Sequence, residues 1–275
     1  MSVTGSPSSP NSRSGLFAPE SVAWRVNREV VVLAGGSGAL LLQVAHPAVA
    51  AGVDAHSDFR ADPFARLRRT LGASWAIAFG DEDAATRAIR RINATHRAVR
   101  GIVPDTGDAY RALDPQLLLW VHATLVDSAL RMHHRFVGRL TAAEMEAYHR
   151  QATAVAIALG VPAERVPPTL VDLRAWMAGL VERGEVRVTP TARRLAASIL
   201  YPTSFPPRWV WDAAHLASIS ILPAEIRRQY GLPWSRRRAA GVERVAAASR
   251  WLMPRLPDGW HHVSAARAAP RRVPS

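Results

Sequence analysis

The chain has no cysteine and no lysine. Without thiols it can form no disulfide, thiolate metal site or iron–sulfur cluster, and it has no cysteine nucleophile. Any transition metal it holds must be bound through histidine, carboxylate or tyrosine. Every one of its 35 basic residues is therefore arginine, a planar fork suited to carboxylates and phosphates. A His-Glu-x-x-His zinc motif, the paired Glu-x-x-His of a di-iron bundle, a serine-hydrolase elbow and a phosphate loop are also missing. The opening MSVTGSPSSPNSRSG is rich in Ser, Pro and Gly and lacks the apolar core of a signal peptide. The expected location is the cytoplasm, with peripheral membrane contact left open.

What is present suits a globular protein. The 275 residues, 48% hydrophobic and 21% charged, can bury one large core. The net charge is +13, but the stretch from Glu225 to Ser275 supplies eight of those charges through eleven arginines against three acids. The excess reads as solvated surface and a basic tail, which argues against nucleic acid as the main partner.

The punctuation along the chain is helical. Asp62-Pro63, Asp114-Pro115 and Thr189-Pro190 each place a capping side chain before a proline at the first helical position. Asp81 opens a helix that Gly101 is expected to end. Thr141 and Glu144 form a capping-box pattern in a helix stopped by Gly160. Pro223 to Tyr230 reads as a short helix closed by Gly231. Glu29–Leu33, with three consecutive valines, is the strong strand-like run. The expectation is an all-α domain of about ten helices over residues 18–262, with disordered tails at 1–17 and 263–275.

Val30 to Val53 contains no Asp, Glu or Arg and is long enough to span a membrane. Its glycines, Gln43 and the His46-Pro47 break point instead to two buried helices meeting at a turn. AGGSGALLL invites a dinucleotide-loop reading, but the third glycine and a βαβ pattern are missing, so a tight helix-to-helix turn explains it better.

His96 shares a helical stripe with Ile89, Ile92 and Val99, opposite Arg87, Arg90, Arg91, Arg97 and Arg100. An imidazole turned toward a core needs a hydrogen-bond acceptor or a metal. In the helix opened by Asp62, Phe64, Leu67, Leu71 and Trp75 mark an apolar face. Arg66 and Thr70 border or enter the interior, Arg69 is adjacent and Arg68 faces water. Such arginines pair with a carboxylate, Asp58 or Asp54, or bind an anion or developing charge. His122 lies in line with buried leucines, His46 precedes Pro47, and His56 looks like a loop or capping residue. The other histidines, including His261 and His262, show no metal-ligand spacing. For any single buried histidine, a hydrogen-bonded core residue is the default reading. Asp127 and Arg131, one turn apart, read as a structural salt bridge.

The runs LLLQVAHPAVAAGVDAHSDFRADPFARLRRTL, ATHRAVRG and DPQLLLWVHATLVDS resemble the rubber-oxygenase (latex-clearing protein)/MpaB-type oxygenase family. The resemblance runs over about residues 35–231 and is densest over 40–128. It implies an all-α protein that binds haem b through iron and uses dioxygen to cleave carbon–carbon double bonds of isoprenoid chains. The family's arginine–x–x–lysine–threonine pattern falls on Arg66, Arg69 and Thr70, with arginine at 69 where the latex-clearing branch has lysine. Its proximal haem histidine falls on His96, with His122 and His46 as supporting or alternative ligands. Dioxygen would bind on the opposite face, near Arg69 and Thr70, and the implied substrate is a hydrophobic isoprenoid- or lipid-like small molecule. The rival readings are a non-enzymatic all-α ligand- or nucleic-acid-binding protein, and a family member that has lost haem.

Overall fold

A computed structural model describes residues 15–56, 63–203 and 207–269, with residues 63–67 described through their backbone only. The 1–14 segment, Asp58 and Asp62 lie outside the described residues. The chain begins with α1 (Val22–Asn27), α2 (Val30–Leu33), α3 (Gly36–Val44) and α4 (Pro47–His56). The valine run expected as a strand is therefore a single helical turn. β-Branched residues lose only tenths of a kcal/mol in a helix, and the packing of α2 on the central helix outweighs that.

Ala34 and Gly35 make the helix-to-helix turn, and Gly36 and Gly38 lie in the first turn of α3 rather than in a nucleotide loop. A Cβ on Gly38 would sit 2.3 Å from the Ser218 carbonyl oxygen, and Gly38 N donates to Ser218 Oγ at 2.6 Å. Gly38→Ala is expected to destabilise the fold by about 1–3 kcal/mol through overpacking, a loss that urea denaturation would measure.

Two long helices follow, α5 (Pro63–Phe79) and α6 (Glu82–Ala98), packed as a hairpin around Gly80 and Asp81. Asp81 caps α6 by accepting from Ala84 N at 2.7 Å. The helix stops at Ala98, before the expected Gly101, because Val99 turns extended and starts an antiparallel hairpin of β1 (Arg100–Ile102) and β2 (Ala109–Arg111). Gly107, with φ of 79°, makes its turn.

α7 (Pro115–Phe136) is the axis of the molecule. Asp114 caps it, Pro115 opens it, and fourteen of its 22 residues are buried. Around it lie α8 (Ala142–Leu159), α9 (Leu170–Glu182), α10 (Pro190–Leu200), α11 (Arg208–Ser220), α12 (Ala224–Gln229) and α13 (Arg236–Leu252). The Thr141–Glu144 capping box is formed, and Gly160 ends α8 in the left-handed conformation at φ 110°. Buried Asp127 bridges Arg131 at 2.5 Å and Arg174 at 2.8 Å.

The chain closes with α14 (Asp258–His261) and α15 (Ser264–Ala268). Residues 263–269, expected within the tail, are ordered here: Val263, Ala266 and Ala269 are buried and α15 packs on α5. Among the described residues ten helices have nine residues or more and five are shorter. Among the described residues no single helix is long and apolar enough to cross a membrane; Val30–Val44 and Pro47–His56 would qualify only together, and they meet at 108°.

Candidate active site

A cavity of about 960 Å³ opens where the α3–α4 junction, the end of α6, the β-hairpin, the start of α7 and the loop after α9 converge. That is the upper part of the size range of small-molecule and cofactor sites. His46 and His96 both line it, with Val99, Tyr110, Leu113 and Leu117 supplying apolar surface. Arg97, Arg100, Arg111 and Arg187 stand against Asp108, Asp114 and Glu185, a balance of one positive charge.

Pro47 breaks the helix at His46 and turns the ring into this space. Arg187 N donates to Ala45 O at 2.9 Å, which fastens the loop after α9 against the same junction. His46 Nδ1 accepts from Ala48 N at 3.2 Å, so the neutral ring carries its proton on Nε2. Burial holds its pKa below the ordinary value, with Glu185 and Asp114 opposing. Its ring lies 6.4 Å from that of Trp120.

His96 occupies the last turn of α6, half-buried, and burial likewise lowers its pKa. Its Nδ1 is buried without a hydrogen-bond partner. His96 lines the cavity, its Nδ1 takes part in no hydrogen bond, and a neutral imidazole so placed has the chemistry of a haem ligand, so the residues present fit a haem. His46 fits a ligand less well, because its Nδ1 lone pair is occupied.

Other expected site residues are placed differently. His122 is buried in α7 and does not line the cavity. Arg69 and Thr70 are exposed on α5 and do not line it either; the side chain of Arg66 lies outside the described residues. Thr70 was expected to border or enter the interior. Periodicity reports which side of a helix a residue occupies, while among the described side chains of α5 only Ile77, Ala78 and Phe79 are buried, so nothing described covers the Thr70 end. Asp54, offered as an arginine partner, bonds to Arg194 at 3.3 Å. His56 ends α4 and reaches the Arg100 carbonyl at 3.1 Å, bracing the hairpin.

Sequence reasoning missed Tyr110, Arg187 and Glu185. The turn-forming run Pro104-Asp105-Thr106-Gly107 could have revealed the hairpin that carries Tyr110. Nothing local announces Arg187, which arrives from across the fold.

The buried histidines of α7 set an acid limit. Burial pushes His122 and His133 down to about 4, helped by His149 and Arg25 respectively. Between their ordinary value and 4 the unfolded chain binds protons that the folded chain does not. Stability should therefore fall as pH drops from 6.5 toward 4, by about 1.4 kcal/mol per pH unit per ring at the steepest. Urea titrations at several pH values check this, and His122→Phe should flatten the slope by one proton.

The family model described as "ER-bound oxygenase mpaB/B'/Rubber oxygenase, catalytic domain" matches residues 24–251. Two mycobacterial proteins, the uncharacterized protein Mb2261 of Mycobacterium bovis and the uncharacterized protein Rv2237 of Mycobacterium tuberculosis, are each 30% identical over 207 residues, covering 71% of this chain and 78% of theirs. No solved structure matches the chain with significance.

Proposed function

The chain belongs to the mpaB/rubber oxygenase catalytic-domain family, and on that premise we propose that it is a haem-dependent oxygenase that cleaves an alkene in a hydrophobic isoprenoid- or lipid-like small molecule. The observation that carries this reading is the cavity shared by His46 and His96. Haem b held there would supply the redox-active iron that lets dioxygen react with a closed-shell alkene.

His96 would hold the iron. The rim arginines would pair with the two propionates through charge-assisted hydrogen bonds. His46, with its proton on Nε2, would orient dioxygen by donating a hydrogen bond. Val99, Leu113 and Leu117 would seat the alkene and keep water out. Both oxygen atoms end in the two new carbonyls, so the cleavage needs no external reductant.

Arg66, Arg69 and Thr70 would act on the oxygen side only with the α5 face that carries them brought over the cavity, since the exposed Arg69 and Thr70 do not line it. In the α5–α6 hairpin Arg66 and His96 stand at similar axial distances from the turn, on the order of 20 Å at 1.5 Å per residue. His122 would support the pocket from behind. The same chemistry is compatible with a protein that touches membranes only at its surface, where such substrates reside.

The test is direct. Protein purified from haem-supplied cells should show a Soret band with one haem per chain, and should turn an isoprenoid alkene into paired carbonyl products only when dioxygen is present. Wild-type protein that stays colourless after reconstitution would leave a haem-less member of the family.

A further inference from the structure

Away from the cavity, Glu29, His261 and His262 bring a carboxylate oxygen and two imidazole nitrogens within 4.8 Å of one another. They come from opposite ends of the fold: Glu29 links α1 to α2, while His261 ends α14 and His262 follows it. The backbone fixes this meeting. Glu29 and His262 form an isolated antiparallel bridge, and Val263 N donates to Arg28 O at 2.8 Å.

The side chains are left incompletely satisfied. Glu29 is 3% exposed and His262 8%, yet Glu29 Oε2 is buried with no hydrogen-bond partner. His262 Nε2 lies 3.2 Å from Glu29 Oε1 and Arg28 Nε lies 3.5 Å from it, but both nitrogens also lack hydrogen-bond geometry. The exposed Asp258 carboxylate approaches both rings, 3.7 Å from His262 Nδ1 and 3.9 Å from His261 Nε2. A buried carboxylate oxygen without a partner is destabilising, because it has given up its hydration for nothing in return.

We propose that Glu29, His261 and His262 bind a divalent cation of the zinc class and thereby clasp the two ends of the domain. Two imidazoles and one carboxylate are a recurrent zinc donor set, and water or Asp258 can fill the fourth position. Metal bonds of about 2.0–2.1 Å place tetrahedral donors about 3.4 Å apart, so the three groups need to draw in by little more than an ångström. The cation would satisfy Glu29 Oε2, which the His262 contact does not. It would also do for a cysteine-free chain what a disulfide does elsewhere, restraining segments far apart in sequence. None of the three residues lines the main cavity, so the site is separate from the proposed haem site.

Tag-free full-length protein, stripped with chelator, would be titrated with Zn²⁺ by calorimetry and with Co²⁺ by absorption. One zinc per chain beyond any haem iron is expected, with the visible bands of four-coordinate cobalt. Glu29→Gln and His262→Ala should each weaken Zn²⁺ binding on the order of 100-fold, and the zinc-dependent rise in Tm should disappear with it. His96→Ala should bind zinc unchanged. Loss of zinc binding in folded Glu29→Gln supports the site even if His262→Ala does not fold. Equal uptake by wild type and Glu29→Gln, or no uptake by wild type, would overturn the proposal and leave an ion pair between Glu29 and His262.

Discussion

His96→Ala is expected to abolish the proposed haem binding, read as the Soret band, and the proposed alkene cleavage together while leaving the protein folded. The ring sits at the end of α6, among the exposed residues Thr95, Arg97 and Ala98, and is itself only half-buried. Its removal takes nothing from the close-packed centre, so the stability change should stay within about 1 kcal/mol. Loss of an axial ligand is a far larger effect for the cofactor, on the order of 100-fold or more in haem affinity, equivalent to about 3 kcal/mol. His46→Gln is the informative contrast. It should keep haem but lower turnover on the order of 100-fold, the usual cost of removing one hydrogen-bond donor aimed at developing charge. Added imidazole should restore the Soret band to His96→Gly and do nothing for His46→Gln. A full Soret band in His96→Ala would sink the assignment of His96, and the same result in a His46 variant would then decide whether the ligand lies elsewhere in the cavity.

Local chemistry was legible in the sequence wherever one short stretch decides the backbone. Asp114-Pro115, Thr141 with Glu144, Thr189-Pro190, Gly160 and Gly231 mark helix ends in the structure because caps and left-handed glycines act within a few residues. Arg87, Arg90 and Arg91 are exposed on α6 as its periodicity predicts, whereas Arg97 and Arg100, expected on the same outer face, line the cavity with His96. Where packing between distant segments decides, the sequence was mute or misleading. Three valines promised a strand and formed a helical turn against α7. Three-residue strands carry too little pattern to see, so the hairpin that walls the cavity went unnoticed. Arg187 reaches His46 through a backbone bond to Ala45, and Glu29 meets His262 across the whole chain. The stripe of His96 was readable as far as Ile89 and Ile92, which are half-buried with it, but Val99 has left the helix. The exposure of Arg69 and Thr70 depends on what stands opposite α5, which periodicity does not contain.

Trp120→Ala should be among the most destabilising single substitutions, and it should reach the cavity through His46. Trp120 is fully buried in α7, with its ring centroid 6.4 Å from His46 and 6.3 Å from Trp176. Its Nε1 donates to Gln43 O at 3.2 Å, tying α7 to the end of α3, one turn before the His46-Pro47 break. Truncation leaves a void in a close-packed centre, for which about 3–5 kcal/mol is typical, a large share of the total stability of a domain. Trp120→Phe separates the two contributions: it retains most of the packing and loses the hydrogen bond, which should cost about 1–3 kcal/mol with the carbonyl left unpaired. Chemical denaturation measures both losses. If Trp120 also positions His46, Trp120→Phe should lower turnover while His96 keeps its haem, because the α6 segment that carries His96 is not anchored by this indole. Unchanged turnover in a destabilised Trp120→Phe would confine the residue to the core, and a loss of haem would mean that the α3–α4 junction shapes the cofactor site as a whole.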